Sequence, residues 1–205
     1  MATTRRTQRV RAETLRRREE ILNAAMATFG SKGYHAGPLG EIADQVDMTH
    51  AGVLHHFGSK NQLLLEVLQH RDDTDVAELV EQRIPGGVEM FRHLVRTAFL
   101  NARRAGLVQT YAVLSAEAVT DEHPARAFFQ DRYRTLRAEA VEAFEELCAE
   151  RGVTATEAVR HASAAILAVM DGLQVQWLVD PERVDLGEAS AYAIDAIVAA
   201  VVGPL

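Results

Sequence analysis

Apolar side chains recur along this chain at intervals of three and four residues, the spacing that places them on one face of an α-helix. The stretch from about Thr14 to Ser31 has this pattern, and Gly30 and Gly33 mark its end. Alternating apolar and polar runs, which are typical of half-buried strands, are not convincing anywhere in the sequence. The pattern therefore predicts an all-α protein.

Two short helices and one capped long helix are predicted between residues 39 and 68. Leu39 to Val46 carries apolar residues at the helical interval, and Ala51 to Phe57 follows Thr49, a good N-cap. Ser59 begins the sequence Ser-Lys-Asn-Gln, a capping box that opens a leucine-rich helix. A short helix, a tight turn, a second short helix and a capped helix follow one another in helix-turn-helix DNA-binding proteins.

Breaks at glycine and proline residues divide the rest of the chain into five further helices. We expect them at about 88–104, 107–119, 124–150, 154–178 and 187–202, which gives about nine helices in all. The predicted domains are a basic arm with a helix-turn-helix domain at 1–58 and a C-terminal helical regulatory and dimerisation domain at 59–205.

The charge is divided unevenly between the two predicted domains. The chain has a net charge of -7, but residues 1–60 hold nine basic and six acidic residues, and residues 61–205 hold 13 basic and 23 acidic ones. A basic end on an acidic body is typical of a polyanion-binding module joined to a domain with another task. A solvated basic tail would give the same charge. Charge alone therefore does not distinguish a nucleic-acid-binding module from such a tail.

Composition places the chain among ordinary globular proteins, with 48% hydrophobic and 25% charged residues. No apolar run approaches the roughly 18 residues of a membrane span, and the N-terminal arginines are not followed by the apolar segment of a secretory signal. We therefore expect a cytoplasmic protein without a membrane helix. Its single cysteine, Cys148, cannot form an internal disulfide.

The last two predicted helices each carry a row of small residues beside a row of larger apolar ones. Small ridges let helices approach closely, so we expect the two rows to meet their copies in a four-helix bundle around a two-fold axis. The alternative is that the rows pack within one chain. The predicted homodimer interface consists of Ala158, Ala162, Ala165, Val169, Gly172, Ala189, Ala193, Ala196 and Ala200.

One stretch of the sequence carries a family resemblance. Glu41-Ile42-Ala43, then Met48-Thr49, then the run from Leu54 to Lys60 with the leucine-rich start of the next helix resemble the tetracycline-repressor (TetR) family of transcriptional regulators. The resemblance covers roughly residues 14–68. The remaining two-thirds is similar only in its helices, alanine content and length, and in a D-G-L-Q-x-Q-W segment at Asp171 to Trp177.

The resemblance implies a homodimer that binds a pseudo-palindromic, double-stranded DNA operator, and a recognition helix at Ala51 to His56. Thr49 and Lys60 would contact phosphates, which fix the register, and His50, Gly52 and His55 would face the base edges. The residues expected to contact DNA are Leu39, Thr49, His50, Ala51, Gly52, His55, His56 and Lys60.

The sequence also departs from the family pattern. Members usually carry Thr or Ser at Gly37, Pro38 and Gly52, Gly at Asp47, and Tyr at Leu54. Several customary phosphate contacts are therefore missing, so we expect the arginine-rich arm at residues 5–18 to supply part of the attachment to the DNA backbone.

The resemblance further implies that an unidentified small molecule enters the C-terminal domain, shifts the helix near 59–83 and releases the repressor from DNA. The candidate ligand contacts are residues with aromatic, polarizable or polar side chains. The alternative for each of them is that it packs in the core and contacts no ligand. For two polar residues on apolar helices, His93 and Asp171, satisfied structural hydrogen bonding is the simpler interpretation. The candidates are Tyr111, Phe128, Tyr133, Met170, Gln174 and Trp177.

The sequence offers little support for a metal-binding protein or an enzyme. The histidines at 50, 55 and 56 lack the spacing that brings two ligands to one side of a helix, so no metal is expected there, nor any cofactor. No paired-carboxylate, nucleophile-elbow or phosphate-loop motif points to catalysis. The alternative to a regulator is a helical dimerisation module or a small enzyme, and only a DNA-binding protein would show duplex binding that weakens steeply with salt.

Overall fold

The structure is a computed structural model that describes the backbone of residues 2–76 and 84–203 and the side chains of residues 11–74 and 84–203. Within these residues the chain forms nine α-helices and no β-strand, which confirms the predicted all-α class. The helices are α1 (Ala2–Ala36), α2 (Leu39–Gln45), α3 (His50–Phe57), α4 (Lys60–Val76), α5 (Gly87–Asn101), α6 (Ala105–Glu117), α7 (Arg126–Arg151), α8 (Ala158–Val179) and α9 (Leu186–Val202).

The largest difference from the predicted boundaries lies at the start of α1. The helix begins at Ala2, about twelve residues before the predicted start at Thr14. The apolar stripe that guided the prediction begins only at Ile21, whereas the arginines and glutamates before it are good helix formers that need no buried face. The predicted arm thus has a helical backbone. The helix expected near 59–83 is α4 up to Val76, and residues 77–83 lie outside the described residues.

Local sequence accounts for the helix ends around the helix-turn-helix. Gly33 interrupts the last turn of α1 with φ +75°, a left-handed conformation that glycine adopts at little cost. Thr49 caps α3, and the Ser59 hydroxyl accepts a hydrogen bond from the Gln62 amide at 3.0 Å. The first half of the predicted capping box is therefore present at the start of α4.

The turn between α2 and α3 contains a non-glycine residue in the left-handed region. Asp47 has φ +52°, at the position where the resembled family usually carries glycine. The Met48 amide beyond it donates to the Ala43 carbonyl at 2.9 Å and closes the turn. Aspartate tolerates this conformation better than most residues, so the turn keeps its shape without glycine.

Helices α1 to α4 share one hydrophobic core with parts of α6 and α7. Leu63, Leu64, Val67 and Leu68 of α4 are fully or almost fully buried in this core. Helix α4, which follows the predicted domain boundary at residue 58, thus packs with α1 to α3, and the domain division itself stays a prediction. The other large buried residues of this cluster are Ile21, Phe29, Tyr34, Ile42, Val53, Phe57, Tyr111, Leu114 and Phe129.

A second core lies among α5, α7, α8 and α9. Phe91 and Phe144 are its largest buried members, with ring centroids 4.6 Å apart. By length and composition α8 is apolar enough to cross a membrane, although the apolar runs of the sequence predicted no membrane helix. Core helices pass the same test, and one side of α8, from Val159 to Trp177, packs against neighbouring helices.

Helices α1 and α6 are in close contact where they cross. Thr110 of α6 donates from Oγ1 to the Met26 carbonyl of α1 at 2.9 Å. A Cβ atom on Gly30 would lie 2.4 Å from Thr110 Oγ1 and 3.2 Å from Thr110 Cα. The absence of a side chain at Gly30 is therefore what allows the helix-turn-helix unit to sit directly on α6.

We predict that Gly30→Ala destabilises the protein by about 1–3 kcal/mol, the usual cost of overpacking, because the methyl group must displace the Thr110 hydroxyl. Thermal unfolding measures the effect, and Thr110→Ala in the same chain is expected to restore part of the loss. The matched control is Gly106→Ala, since a Cβ there meets nothing within 4 Å. That variant is expected to be neutral or more stable; equal losses in both variants would contradict the close crossing.

Candidate nucleic-acid interface and ligand cavity

Helix α3 presents a polar surface on one side and is anchored on the other. The Thr49 hydroxyl accepts a hydrogen bond from the Gly52 amide at 3.1 Å, and Val53 and Phe57 are buried beneath the helix. Its exposed side is thus free to enter a DNA groove. Of the predicted DNA contacts, Thr49, His50, Ala51 and His55 are exposed, and Leu39, Gly52, His56 and Lys60 are half-buried.

One arginine of α1 fixes the position of α3. The Arg18 guanidinium lies 4.3 Å from the centroid of the Phe57 ring and donates a hydrogen bond to the His56 carbonyl. It also forms an ion pair with Glu66 of α4. Three helices therefore meet at Arg18, which makes the recognition helix and the first half of α4 one rigid unit.

Two of the basic residues near α3 are partly withdrawn from solvent. The Lys60 ammonium lies 4.6 Å from the centroid of the Tyr34 ring, and burial lowers the pKa of Lys60. Burial also lowers the pKa of His56, and the neighbouring His55 and Arg18 lower it further. His56 is thus favoured in its neutral form, which can donate a hydrogen bond but adds no charge to the interface.

Three of the four arginines of the predicted arm whose side chains are described, Arg16, Arg17 and Arg18, have carboxylate partners. Arg16 bonds to Glu13 at 2.7 Å and to Glu20 at 2.6 Å, and Arg17 bonds to Glu20 at 2.9 Å. The side chains of Arg5, Arg6 and Arg9 lie outside the described residues. A role of the arm in DNA binding stays a prediction. Among the described side chains, no group of three His, Cys, Asp or Glu could hold a metal ion.

A cavity of about 320 Å³ lies among α4, α5, α6, α7 and α8. Its apolar wall is formed by Ile84, Leu94, Leu136, Leu167 and Met170. Its polar lining consists of Gln69, Arg71, Asp72, Asp73, His93, Thr97, Asn101, Tyr111, Arg132, Tyr133, Asp171 and Gln174.

Two arginines in the cavity wall are paired inside the protein. Asp72 of α4 accepts from Arg71 at 3.0 Å and forms a second ion pair with Arg132 of α7. The guanidinium carbons of Arg71 and Arg132 lie 4.5 Å and 5.4 Å from the centroid of the Tyr111 ring. This cluster joins the second half of α4 to α6 and α7.

A tyrosine and an aspartate form a second polar group in the cavity. The Tyr133 hydroxyl donates to Asp171 Oδ2 at 2.5 Å and lies 3.5 Å from the Tyr111 hydroxyl. Burial raises the pKa of Asp171, while the Tyr133 hydrogen bond and the charge of Arg132 oppose the rise. Burial also raises the pKa of Tyr133, so its hydroxyl keeps its proton and remains a donor.

The cavity lining includes four of the six candidate ligand contacts, Tyr111, Tyr133, Met170 and Gln174. Phe128 instead packs against the first core, and Trp177 lies in a third small cluster with Val108 and Leu186. Both aromatic residues thus fill space between helices, outside the cavity lining. Ligand contact by any of the six stays a prediction.

Two polar cavity residues that the sequence reasoning missed stand in otherwise apolar helix rows. Arg71 continues the buried row of Leu64, Val67 and Leu68 on α4, and it is itself almost fully buried. Asn101 similarly ends a buried row on α5. A polar residue at the next position of an apolar row is the signal that could have identified them. His93, which has a ring nitrogen 3.5 Å from the Thr97 hydroxyl, also lines the cavity.

The outer surface of α8 and α9 is apolar and exposed. Val175 and Val179 of α8 are 51% and 81% exposed, and Tyr192 of α9 is 79% exposed. The alanine rows in the sequence predict an interface on these two helices but do not point to these three residues. Among the predicted interface residues, Ala158, Ala196 and Ala200 are exposed, Ala165, Val169, Gly172, Ala189 and Ala193 are half-buried, and Ala162 is buried within the chain.

A buried polar group connects the end of α1 to the segment after α6. Glu117 accepts a hydrogen bond from the Tyr34 amide at 2.7 Å, and its Oε2 lies 3.7 Å from His123 Nε2. His123 Nδ1 accepts from the Ala125 amide at 3.2 Å, so that nitrogen carries no proton. The His123 ring also lies edge-on to Tyr34 and His35.

These features define a DNA-binding regulator with a ligand cavity: an exposed recognition helix is joined through α4 to a polar cavity. Residues 21–67 match the family described as bacterial regulatory proteins, tetR family. Residues 87–202, more than half of the chain, match the BetI-type transcriptional repressor, C-terminal. The chain belongs to the TetR family of transcriptional regulators. This is a family of DNA-binding proteins and not of enzymes, in agreement with the predicted non-enzymatic role.

Named relatives agree with this assignment. The chain is 31% identical to the probable acrEF/envCD operon repressor of Escherichia coli strain K12 over 81 residues, which are 40% of this chain and 36% of that repressor. The match thus spans about a third of that relative's length. The chain is also 25% identical over 190 residues to the regulator AcrR of Shigella flexneri, covering 87% of this chain and 86% of AcrR.

Among solved structures, the fold is similar to that of SmeT in complex with triclosan, with a TM-score of 0.73 and 21% identity over 91% of both chains. SmeT is the repressor of the Stenotrophomonas maltophilia multidrug efflux pump SmeDEF. At this identity the likeness shows the shared fold.

We predict that the protein loses stability as the pH is lowered, and that His123 causes part of this loss. Burial lowers the pKa of His123 and the nearby His35 adds to this, while Glu117 opposes it. The neutral ring is therefore favoured in the folded state, and its stabilising contribution is present above about pH 6.5 and lost as the pH falls below it. Thermal unfolding should show that His123→Gln loses less stability than the unaltered protein between about pH 7.5 and about pH 5.5.

The control for this experiment is His161→Gln, because His161 is exposed on α8. It is expected to keep the pH dependence of the unaltered protein. An identical pH dependence in the His123 variant and the unaltered protein would show that the His123 ring titrates as it does in the unfolded chain.

Proposed function

We propose that the protein is a cytoplasmic repressor that binds a pseudo-palindromic operator as a homodimer and leaves it when a small molecule occupies the cavity. The observation that carries the proposal is the position of α4. Its first half is tied to the recognition helix through Glu66 and Arg18, and its second half lines the cavity with Arg71 and Asp72. From residue 60 to residue 71 the helix spans only about 16 Å, so one rigid element connects both sites.

The ion pairs at the cavity give an occupant a route to α4. Asp72 of α4 holds Arg132 of α7, and Arg71 of α4 lies over Tyr111 of α6. An occupant that displaces any of these contacts changes how α4 sits against α6 and α7. A ligand can shift this equilibrium only by its difference in affinity for the two arrangements, and about 1–3 kcal/mol would relieve repression 5–150-fold.

The exposed apolar surface of α8 and α9 supports dimerisation. Monomeric soluble proteins rarely leave large apolar side chains clustered in solvent, and here Val175, Val179 and Tyr192 flank the predicted alanine rows. A second copy that packs its own α8 and α9 on this surface would form a four-helix bundle with two-fold symmetry. The two recognition helices would then reach major grooves about 34–36 Å apart.

The solved SmeT complex supports a small-molecule effector, because a protein of the same fold holds triclosan. The cavity in this chain is large enough for a ligand of modest size, since 320 Å³ lies at the lower end of the usual range for ligand pockets.

We predict that Lys60→Ala weakens binding to all duplexes about equally and lowers the salt slope of the affinity by about one, because a phosphate contact is lost. His55→Ala is instead expected to weaken the selected operator more than unrelated DNA, since His55 faces the groove. The operator is first obtained by selection from random double-stranded oligonucleotides with the purified protein, and affinities are then measured by fluorescence anisotropy.

Arg160→Ala serves as the control for lost positive charge, because Arg160 is exposed on α8 and away from α3. It should leave both affinity and salt slope unchanged. A sequence-selective loss in the Lys60 variant would contradict the phosphate assignment, and an absence of duplex binding at low salt would overturn the proposed function itself.

We predict that Val179→Asp converts the dimer into a monomer, because the carboxylate would be buried in an apolar contact without a partner. Sedimentation velocity at micromolar concentration measures this, and operator affinity is expected to fall with it. Val119→Asp is the matched control, since Val119 is 75% exposed but lies after α6. A dimer that survives the Val179 substitution would exclude this surface as the interface.

A further inference from the structure

Two amide side chains in the cavity wall have no hydrogen-bond partner. Asn101 has no solvent-exposed surface, and neither its Oδ1 nor its Nδ2 is hydrogen-bonded within the described part of the chain. Gln174 is only 6% exposed, and its amide makes no hydrogen bond to any described residue. Both residues line the same cavity. Because buried polar groups in native proteins are almost always paired, the fully buried and unpaired amide of Asn101 indicates an occupant that pairs with it, and Gln174 offers a second amide to the same occupant.

The hydrogen-bonding needs of an amide are specific. Each amide offers one acceptor oxygen and an NH₂ donor side by side. A ligand that satisfies both atoms must itself present a donor next to an acceptor, as a carboxamide or lactam does. Asparagine and glutamine recognise adenine in DNA through the same two-bond geometry.

The charged groups of the cavity already have partners within the protein. Asp72 pairs with both Arg71 and Arg132, Asp171 accepts from Tyr133, and Asp73 accepts from Gln69. A cation that approached Asp171 would be repelled by the two guanidinium groups, and an anion that approached them would be repelled by the two carboxylates. A charged ligand would therefore lose its hydration on entering the cavity and would find no opposite charge that lacks a partner.

The rest of the lining is apolar. Leu94, Leu136, Leu167 and Met170 face the same space as the two amides. Such a wall favours an aromatic or aliphatic body on the ligand.

We infer that the cavity selects a small uncharged molecule in which a carboxamide-like group is attached to an apolar body, and that Asn101 and Gln174 recognise that group. The inference rests on the proposed function, because it names the chemical class of the effector for the same cavity. It assigns the selectivity to two neutral side chains rather than to the charged residues that surround them.

The test uses four near-isosteric compounds and the full-length protein. Benzamide is neutral with a donor and an acceptor, acetophenone has an acceptor only, benzoate is an anion and benzamidinium is a cation. Isothermal titration calorimetry is expected to show benzamide binding about tenfold more tightly than each of the other three, because each of them leaves an amide atom unpaired or brings an unmatched charge.

Variants assign the selectivity to the two amides. Asn101→Leu and Gln174→Met keep the approximate shape and remove the amide, so each is expected to weaken benzamide binding about five- to tenfold and to leave acetophenone binding unchanged or stronger. Each variant is also expected to be at least as stable as the unaltered protein without ligand, because an unpaired polar group has been removed. Gln176→Met is the matched control, because Gln176 is exposed on the same helix.

Three results would overturn the inference: benzoate or benzamidinium binding as tightly as benzamide, no binding of any compound up to its solubility limit, or unchanged benzamide affinity in both amide variants. Operator binding by the same protein preparation separates this from the proposed function. If the protein binds the operator but none of the compounds, the inferred chemical class of the ligand is wrong and the proposed function is retained. If the protein binds no duplex, the proposed function is wrong.

Discussion

The contacts at the two ends of α4 constrain the whole molecule. Near its start, Leu63, Leu64 and Val67 are buried among α1 to α3, and Glu66 forms an ion pair with Arg18. One to two turns later, Arg71 and Asp72 enter the wall of a cavity that belongs to the other half of the chain. A single helix cannot move at one of these ends without moving at the other, because its backbone hydrogen bonds resist bending.

The second connection between the halves behaves differently. Thr110 bonds to the α1 backbone beside Gly30, and Glu117 bonds to the backbone after Gly33. These contacts are close, buried and placed where a side chain would not fit. They hold α1 against α6, whereas the cavity end of α4 is held by side-chain ion pairs around an open space. The two connections between the halves therefore differ in kind: α1 and α6 are in close contact, whereas α4 borders a cavity.

The sequence predicted the helices well wherever an apolar row or a cap defined them. Thr49 and Ser59 capped α3 and opened α4 as expected, whereas α1 extended beyond its apolar row because arginine and glutamate form helix without burial. The cavity was only partly predictable. Tyr133 and Gln174 were chosen for their chemistry, but Asn101 and Arg71 face the cavity because of how α4 and α5 rotate against α7 and α8. Such rotations depend on long-range packing, which a single sequence pattern does not contain.

The departures from the family pattern also acquire a physical meaning in the structure. Asp47 keeps the left-handed turn without glycine, and Arg18 holds α3 through the Phe57 ring and the His56 carbonyl. The recognition helix is thus positioned by contacts from its buried side, so fewer hydroxyl contacts on its DNA side do not leave it loosely oriented. The same Arg18 that holds α3 also pairs with Glu66 of α4, so the shift of α4 in the proposed regulation would act on a residue that positions the recognition helix.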